Sequence, residues 1–348
     1  MGSKWGLPHS GSGTRQVNAA ACVPGVIPSR VVTVPAVTKG CEHMSDEGKL
    51  DPWVKEWLEA HTIPVFPFPE LTPDLLELLR SPTGAPAHRE IAKVTDDVVE
   101  DVPVRFYEHD HAPAGLIVYF HGGAFCIGSV AMMDNVAREL AHCSDAVVIS
   151  VEYRLAPEHP YPAGLDDCEK ITRWALANAS RFGASPEKVV VAGESAGGNL
   201  SAAVTLRLRG NDPPLAGQVL MYPGLDGWDR RHPSREQFDG LIIDTSTGAI
   251  GKMYTGGKNL DDDPFVAPLR AASLAGLPPA IVVLGGCDPL RDEGRLYARR
   301  LHDEGVEVEE ICFAGQPHGF MNLEFPAAAD AIQRIGAFLR SVFAAKAS

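Results

Sequence analysis

Ser195, Asp288 and His318 are the residues of this sequence whose settings best suit nucleophilic chemistry. Ser195 lies in Gly193-Glu194-Ser195-Ala196-Gly197, between the β-branched run Val189-Val190-Val191 and a helix-forming run. A serine at so tight a strand-to-helix turn projects its hydroxyl from the sheet, and small flanking residues let the neighbouring backbones close in. The hydroxyl alone is a poor nucleophile at neutral pH, so it needs a base. His318, in the loop Gln316-Pro317-His318-Gly319, is the candidate base, and Asp288 would fix the imidazole tautomer and stabilise the imidazolium. Asp292 is a rival acid. Asp288 is preferred because it sits directly at the end of the strand that begins with the apolar run Ala280–Gly286, whereas Asp292 should already lie one helical turn along. Negative charge developing on a substrate oxygen needs fixed donors. His121-Gly122-Gly123 follows the apolar run Leu116–Phe120, and the backbone N–H groups of Gly122, Gly123 and Ala196 are the expected oxyanion donors. The dipole of the helix after Ser195 adds partial positive charge at the same place.

The order Ser195, Asp288, His318 is that of α/β-hydrolases and not of the two best-known serine protease folds. With these residues in place, the chain resembles the hormone-sensitive-lipase-like esterases, bacterial lipolytic family IV, over about 116–198 and 263–320. The resemblance rests on His121-Gly122-Gly123, Tyr153-Arg154-Leu155-Ala156-Pro157-Glu158, Gly193-Glu194-Ser195-Ala196-Gly197-Gly198, Asp263-Pro264, Asp288-Pro289-Leu290-Arg291-Asp292 and His318-Gly319-Phe320. It departs at Ala124, where a third glycine is usual, and at Glu194, where Asp or Thr is usual. The resemblance implies a carboxylic ester hydrolase working through an acyl-enzyme, with a small-molecule ester and water as its partners and no cofactor. It also implies that the helices before the first strand and an insertion at about 225–262 form a cap over the site. Ala124 and Phe125 beside the oxyanion loop suggest a closed acyl pocket suited to short chains. Two other readings stay open: another enzyme on this fold, such as an amidase or a deacetylase, and a non-catalytic receptor. The receptor relatives lack the triad histidine, which this chain has.

The elements that must position these residues read as an alternation of strands and helices. Strands are expected at 102–108, 116–120, 146–151, 189–192, 217–222, 280–284 and 306–313, with a last helix over about 327–344. Such alternation implies an α/β fold, with a mostly parallel central sheet and helices on both faces. Two helices are expected before the first strand, opening at Asp51-Pro52 and Thr72-Pro73 and joined by an extended Pro64–Pro69 linker. The layout expected is an extension over 1–45, cap helices over 46–85 and a catalytic domain over 86–345. The extension lacks periodicity, and Met44 is an alternative start. Glu194 is expected to support the elbow by hydrogen bonding, and Tyr153–Glu158 to act as loop scaffold.

Composition narrows the function classes. A formal net charge of −14 disfavours nucleic acid or an anionic membrane as partner. Seven cysteines without a Cys-x-x-Cys pair indicate neither a zinc site nor a disulfide framework, and no metal site is expected. No apolar run approaches the roughly 18 residues a spanning helix needs. A cytoplasmic enzyme is expected, and a homodimer is left open.

Overall fold

The computed structural model describes residues 48–61, 72–80, 87, 89–228, 231–245, 248–323 and 325–345. The expected extension over 1–45 and the Pro64–Pro69 linker lie outside these residues. Eight strands form one sheet: β1 (Lys93–Val99), β2 (Val102–Glu108), β3 (Leu116–Phe120), β4 (Val147–Val151), β5 (Val189–Glu194), β6 (Gly217–Met221), β7 (Ala280–Cys287) and β8 (Val308–Pro317), in the order β1-β2-β4-β3-β5-β6-β7-β8. β1 and β2 pair antiparallel with their neighbours, and every pairing from β4 onward is parallel. The five strands β3 to β7 are buried on both faces, which is why each reads as an unbroken apolar run and not as an alternation.

Side chains alternate between the two faces. Leu116, Val118, Val189, Val191, Leu220 and Val282 meet α4 (Ala163–Asn178), α5 (Ala196–Arg207) and α8 (Arg291–Asp303). Ile117, Tyr119, Val190, Val219 and Ile281 meet α3 (Asp134–Ser144) and α9 (Pro326–Ala345) on the other face. Of the stripe Ile332, Ile335, Leu339 and Val342 that helical spacing predicts in the last helix, the last three are buried and Ile332 is half-buried against the same core.

β1 was not expected from the sequence. It is an edge strand whose residues are mostly exposed on both faces, so Lys93-Val94-Thr95-Asp96-Asp97 carries no apolar pattern to read. β8 also differs, running on to Pro317 where an end near Phe313 is expected, so it delivers His318 directly from the sheet.

The two helices ahead of β1 form where expected, as α1 (Pro52–Ala60) and α2 (Pro73–Arg80). Asp51 stands at the N-cap of α1 without a side-chain capping bond, while Thr72 Oγ1 accepts the Leu75 N–H at 3.2 Å. α1 is fastened to the core: Val54 is buried, and Trp53 and Trp57 meet Phe325 edge-on at 5.5 and 5.1 Å. Between β6 and β7 lie two short helices, α6 (Pro233–Phe238) and α7 (Ala249–Thr255).

Candidate active site

Four strand ends converge on Ser195. β5 leads into Ser195 and α5 leads away from it, and Ser195 stands between them at φ 54°, ψ −115°. That backbone is costly for any residue with a Cβ, by roughly 1–3 kcal/mol, and persists only where the surroundings over-determine it. Here they do. The Ser195 N–H donates to Met221 O at 2.8 Å, and the Ser195 carbonyl accepts from Asn199 N–H at 3.1 Å. A Cβ on Gly193 would collide with the carbonyl of Gly197, and one on Gly197 with that of Phe120, so both flanking positions require glycine.

β7 and β8 bring the other two side chains. His318 Nε2 accepts from the Ser195 hydroxyl at 2.9 Å, and His318 Nδ1–H donates to Asp288 Oδ2 at 2.9 Å. The acceptor-only carboxylate fixes which ring nitrogen carries the proton. Asp288 is fully buried, and its other oxygen accepts the Leu290 N–H at 2.7 Å, so neither oxygen is left unsatisfied. The edge of the Tyr222 ring packs against His318, with centroids 5.2 Å apart. Asp292 is drawn elsewhere. Its carboxylate accepts the Ser234 N–H at 2.8 Å and binds Arg291, hooking α6 to the start of α8.

β3 supplies the glycine loop, and here one expectation is corrected. The N–H of Gly122 donates to Glu194 Oε1 at 2.7 Å, which removes it from the three expected oxyanion donors. Glu194 is fully buried beside the nucleophile, and a buried carboxylate must recruit donors. Its second oxygen accepts from the Tyr222 hydroxyl at 3.2 Å. Burial first, then the negative charge of Glu194, pushes the phenols of Tyr119 and Tyr222 well above their ordinary range, so both stay neutral. The N–H groups of Gly123 and Ala196 have no partner among the described residues.

The loop beyond Gly122 is strained and framed. Ala124 and Phe125 both have positive φ, 50° and 63°, and Cys126 N–H donates to Gly123 O at 3.0 Å, which makes a type I′ turn without glycine at either central position. The Phe125 ring stacks on Tyr254 of α7 at 3.7 Å and is buried, so it anchors the turn in the core. His121 is fully buried, and burial lowers its pKa, leaving a neutral ring whose Nδ1–H donates to Gly122 O at 2.7 Å. Tyr153 stacks on that ring and donates to His121 O at 2.7 Å, while Arg154 forks onto Asp167. These contacts give Tyr153-Arg154 the scaffolding part expected of their motif.

The insertion between β6 and β7 is held in two ways: α7 buries Ile250 and Tyr254 in the apolar core, whereas the α6 half is held largely by charge. Arg235 donates to Glu293 at 2.7 Å in a fully buried pair, and Asp226 accepts from His232 and from a fork of Arg270. Burial raises the Asp226 carboxyl, but the bonds from His232, Arg270 and Gly227 N–H outweigh it and hold the group at about 2. Polar side chains thus do the fastening around α6. Among the described residues no cluster of three or more His, Cys, Asp or Glu side chains is placed to hold a metal ion.

The comparisons with known proteins point one way. The profile of the α/β-hydrolase fold matches residues 117–322. A carboxylesterase of Mycobacterium tuberculosis, NlhH, is 41% identical over 250 residues, covering 68% of this chain and 77% of that one. An arylesterase of Saccharolobus solfataricus is 33% identical over 310 residues, covering 84% and 99%. The solved structure of an esterase from Pyrobaculum calidifontis superposes with a TM-score of 0.75 at 31% identity, covering 84% of this chain and 98% of that one.

Proposed function

This chain belongs to the hormone-sensitive-lipase-like esterases of the α/β-hydrolase fold and is a carboxylic ester hydrolase, and on that premise we propose that it cleaves short-acyl esters with Ser195, His318 and Asp288 as its triad. The observation that carries the reading is the unbroken chain of hydrogen bonds from Ser195 Oγ through His318 to Asp288, 2.9 Å at each step. His318 takes the serine proton as Oγ attacks the ester carbonyl, and the tetrahedral oxygen is met by the N–H groups of Gly123 and Ala196. His318 then returns the proton to the leaving alcohol. Water, deprotonated by the same imidazole, releases the acid from the acyl-enzyme.

Residues 86–345 make up the catalytic domain in this proposal, with α1, α2 and the insertion at 225–262 forming the cap. The short-acyl part rests on two observations. Ala124 puts a methyl on the half-buried oxyanion loop where a glycine is usual. Among the described residues the exposed large hydrophobics are Leu78, Val98 and Leu296, scattered and not gathered into the apolar face an interfacial lipase needs. The net charge of −14 disfavours nucleic acid as a partner, and no helix among the described residues is long and apolar enough to cross a membrane.

A panel of p-nitrophenyl esters graded by acyl length tests this proposal. Each methylene adds about 0.8 kcal/mol of transfer energy only while it has space to occupy. Catalytic efficiency should therefore peak at about two to six carbons and fall beyond about ten as overpacking takes over. A profile still rising toward long chains, or a jump in rate at the solubility limit, would overturn the short-acyl reading.

A further inference from the structure

We infer that Arg80, the last residue of α2, is a positioning residue for the oxyanion loop, joining the N-terminal helices to the turn that carries Gly123; this rests on the triad reading above. The guanidinium faces two loops at once. Its Nε–H donates to Cys126 O at 2.7 Å, and one terminal nitrogen donates to Ala156 O at 2.8 Å. Both terminal nitrogens also reach the Glu158 carboxylate, at 3.0 and 2.9 Å. The first loop holds the strained turn at Ala124 and Phe125, and the second is the Tyr153–Glu158 segment.

The backbone bonds around Arg80 make the clasp more than a surface ion pair. Cys126 closes the turn through its own N–H to Gly123 O, and Arg80 takes the Cys126 carbonyl. Ala156 N–H donates to Phe125 O at 2.9 Å, and Arg80 takes the Ala156 carbonyl. Both residues that brace the turn are thus themselves braced by one side chain. Glu158 is about half exposed at 51%, and an ion pair so placed contributes little by itself. Its part is to orient the guanidinium plane toward the two carbonyls. Two successive non-glycine residues at positive φ would relax if that frame loosened. Lysine cannot replace this arrangement, since an ammonium lacks the planar fork that serves three acceptors in fixed directions.

None of these contacts needs to touch substrate, so their effect is kinetic in a particular way. The oxyanion exists only in the tetrahedral state, so a displaced Gly123 N–H lowers kcat and leaves ground-state binding largely alone. The experiment measures kcat and KM on a short p-nitrophenyl ester for Arg80→Ala, Arg80→Lys, Glu158→Gln and Ser195→Ala, with the melting temperature of each.

Both Arg80 variants should lose about tenfold or more in kcat with KM within about twofold, a fraction of what removing an oxyanion donor outright costs. Glu158→Gln should lose less than about threefold, because the two carbonyl contacts remain. Methylguanidinium added to Arg80→Ala should restore part of the kcat and should do nothing for Arg80→Lys, whose side chain fills the site. Wild-type kcat in Arg80→Lys, a loss confined to KM, or a Glu158→Gln loss as large as that of Arg80→Ala would each overturn the inference. Should Arg80→Ala fail to fold, Arg80→Lys decides. Activity surviving in Ser195→Ala would instead sink the triad reading, whereas a dead Ser195→Ala beside fully active Arg80 variants would sink this inference alone.

Discussion

The sheet and the α6 half of the insertion between β6 and β7 lie next to each other around Asp288 but are held in place by different forces. β3 to β7 bury Val, Ile, Leu and Ala on both faces, and their C-terminal ends carry the glycine loop, the nucleophile and Asp288. The α6 half of the insertion is fastened by Arg235 on Glu293, by Ser234 with Asp292, and by Asp226 with His232 and Arg270. Apolar burial is non-directional, so it builds a platform that tolerates small changes. Buried polar pairs are directional and unforgiving, since removing one partner strands the other in a low-dielectric interior. The strand ends that carry Ser195, Asp288 and the glycine loop thus rest on apolar burial, and the α6 segment beside them rests on directional polar pairs.

The largest effect should separate two carboxylates that stand one helical turn apart across this divide. Asp288→Asn should cost about 10³–10⁴ in kcat, because the histidine then loses its tautomer control. Asp292→Asn should cost less than about tenfold, through a loosened Ser234 and not through the histidine. Steady-state kinetics with equal circular dichroism would check both, and the reverse ranking would move the acid of the triad to the α6 hook.

The next effect concerns stability. Arg235→Ala leaves Glu293 fully buried without its cation and should destabilise the fold by about 3–5 kcal/mol in urea titration. Replacing both, as Arg235→Met with Glu293→Leu, should recover most of that loss. Additive costs in the double variant would mean that the pair is not a unit, and the contrast between the two regions would lose its basis.

A smaller effect follows from acid. Asp226 is held at about 2 in the folded state against an ordinary 3.8, so its contribution is fully present above about 4 and drains away as pH falls toward 2. By the shift, it amounts to about 2 kcal/mol at most. Asp226→Asn should lower stability at pH 7 and flatten the fall between pH 4 and 2. An unchanged acid slope would take Asp226 out of the fastening of the insertion.

The same contrast explains what the sequence disclosed. Runs such as Leu116–Phe120 and Ala280–Cys287 could be read because burial on both faces leaves only apolar residues there. Ser195 and Asp288 were legible because each follows such a run, and His318 because its Pro-His-Gly loop comes after the last strand, since a strand end is where a sheet delivers side chains to a common edge. β1 was not legible, since an exposed edge strand has no face to mark. Neither was the loss of Gly122 as an oxyanion donor, which depends on where a carboxylate from Glu194 comes to rest across two strands. Ser234 and Arg80 were hidden for the same reason. Their partners are backbone carbonyls and distant side chains, and hydrogen-bond direction leaves no period in a sequence.

Stoichiometric labelling with a fluorophosphonate, located by peptide mass spectrometry, tests the central claim most directly, because the reagent reacts with a serine only when a base and oxyanion donors activate it. One phosphonyl group on Ser195, with loss of esterase activity in step with its incorporation, is the predicted result. A label on another residue, or full activity after Ser195 is labelled, would contradict the account.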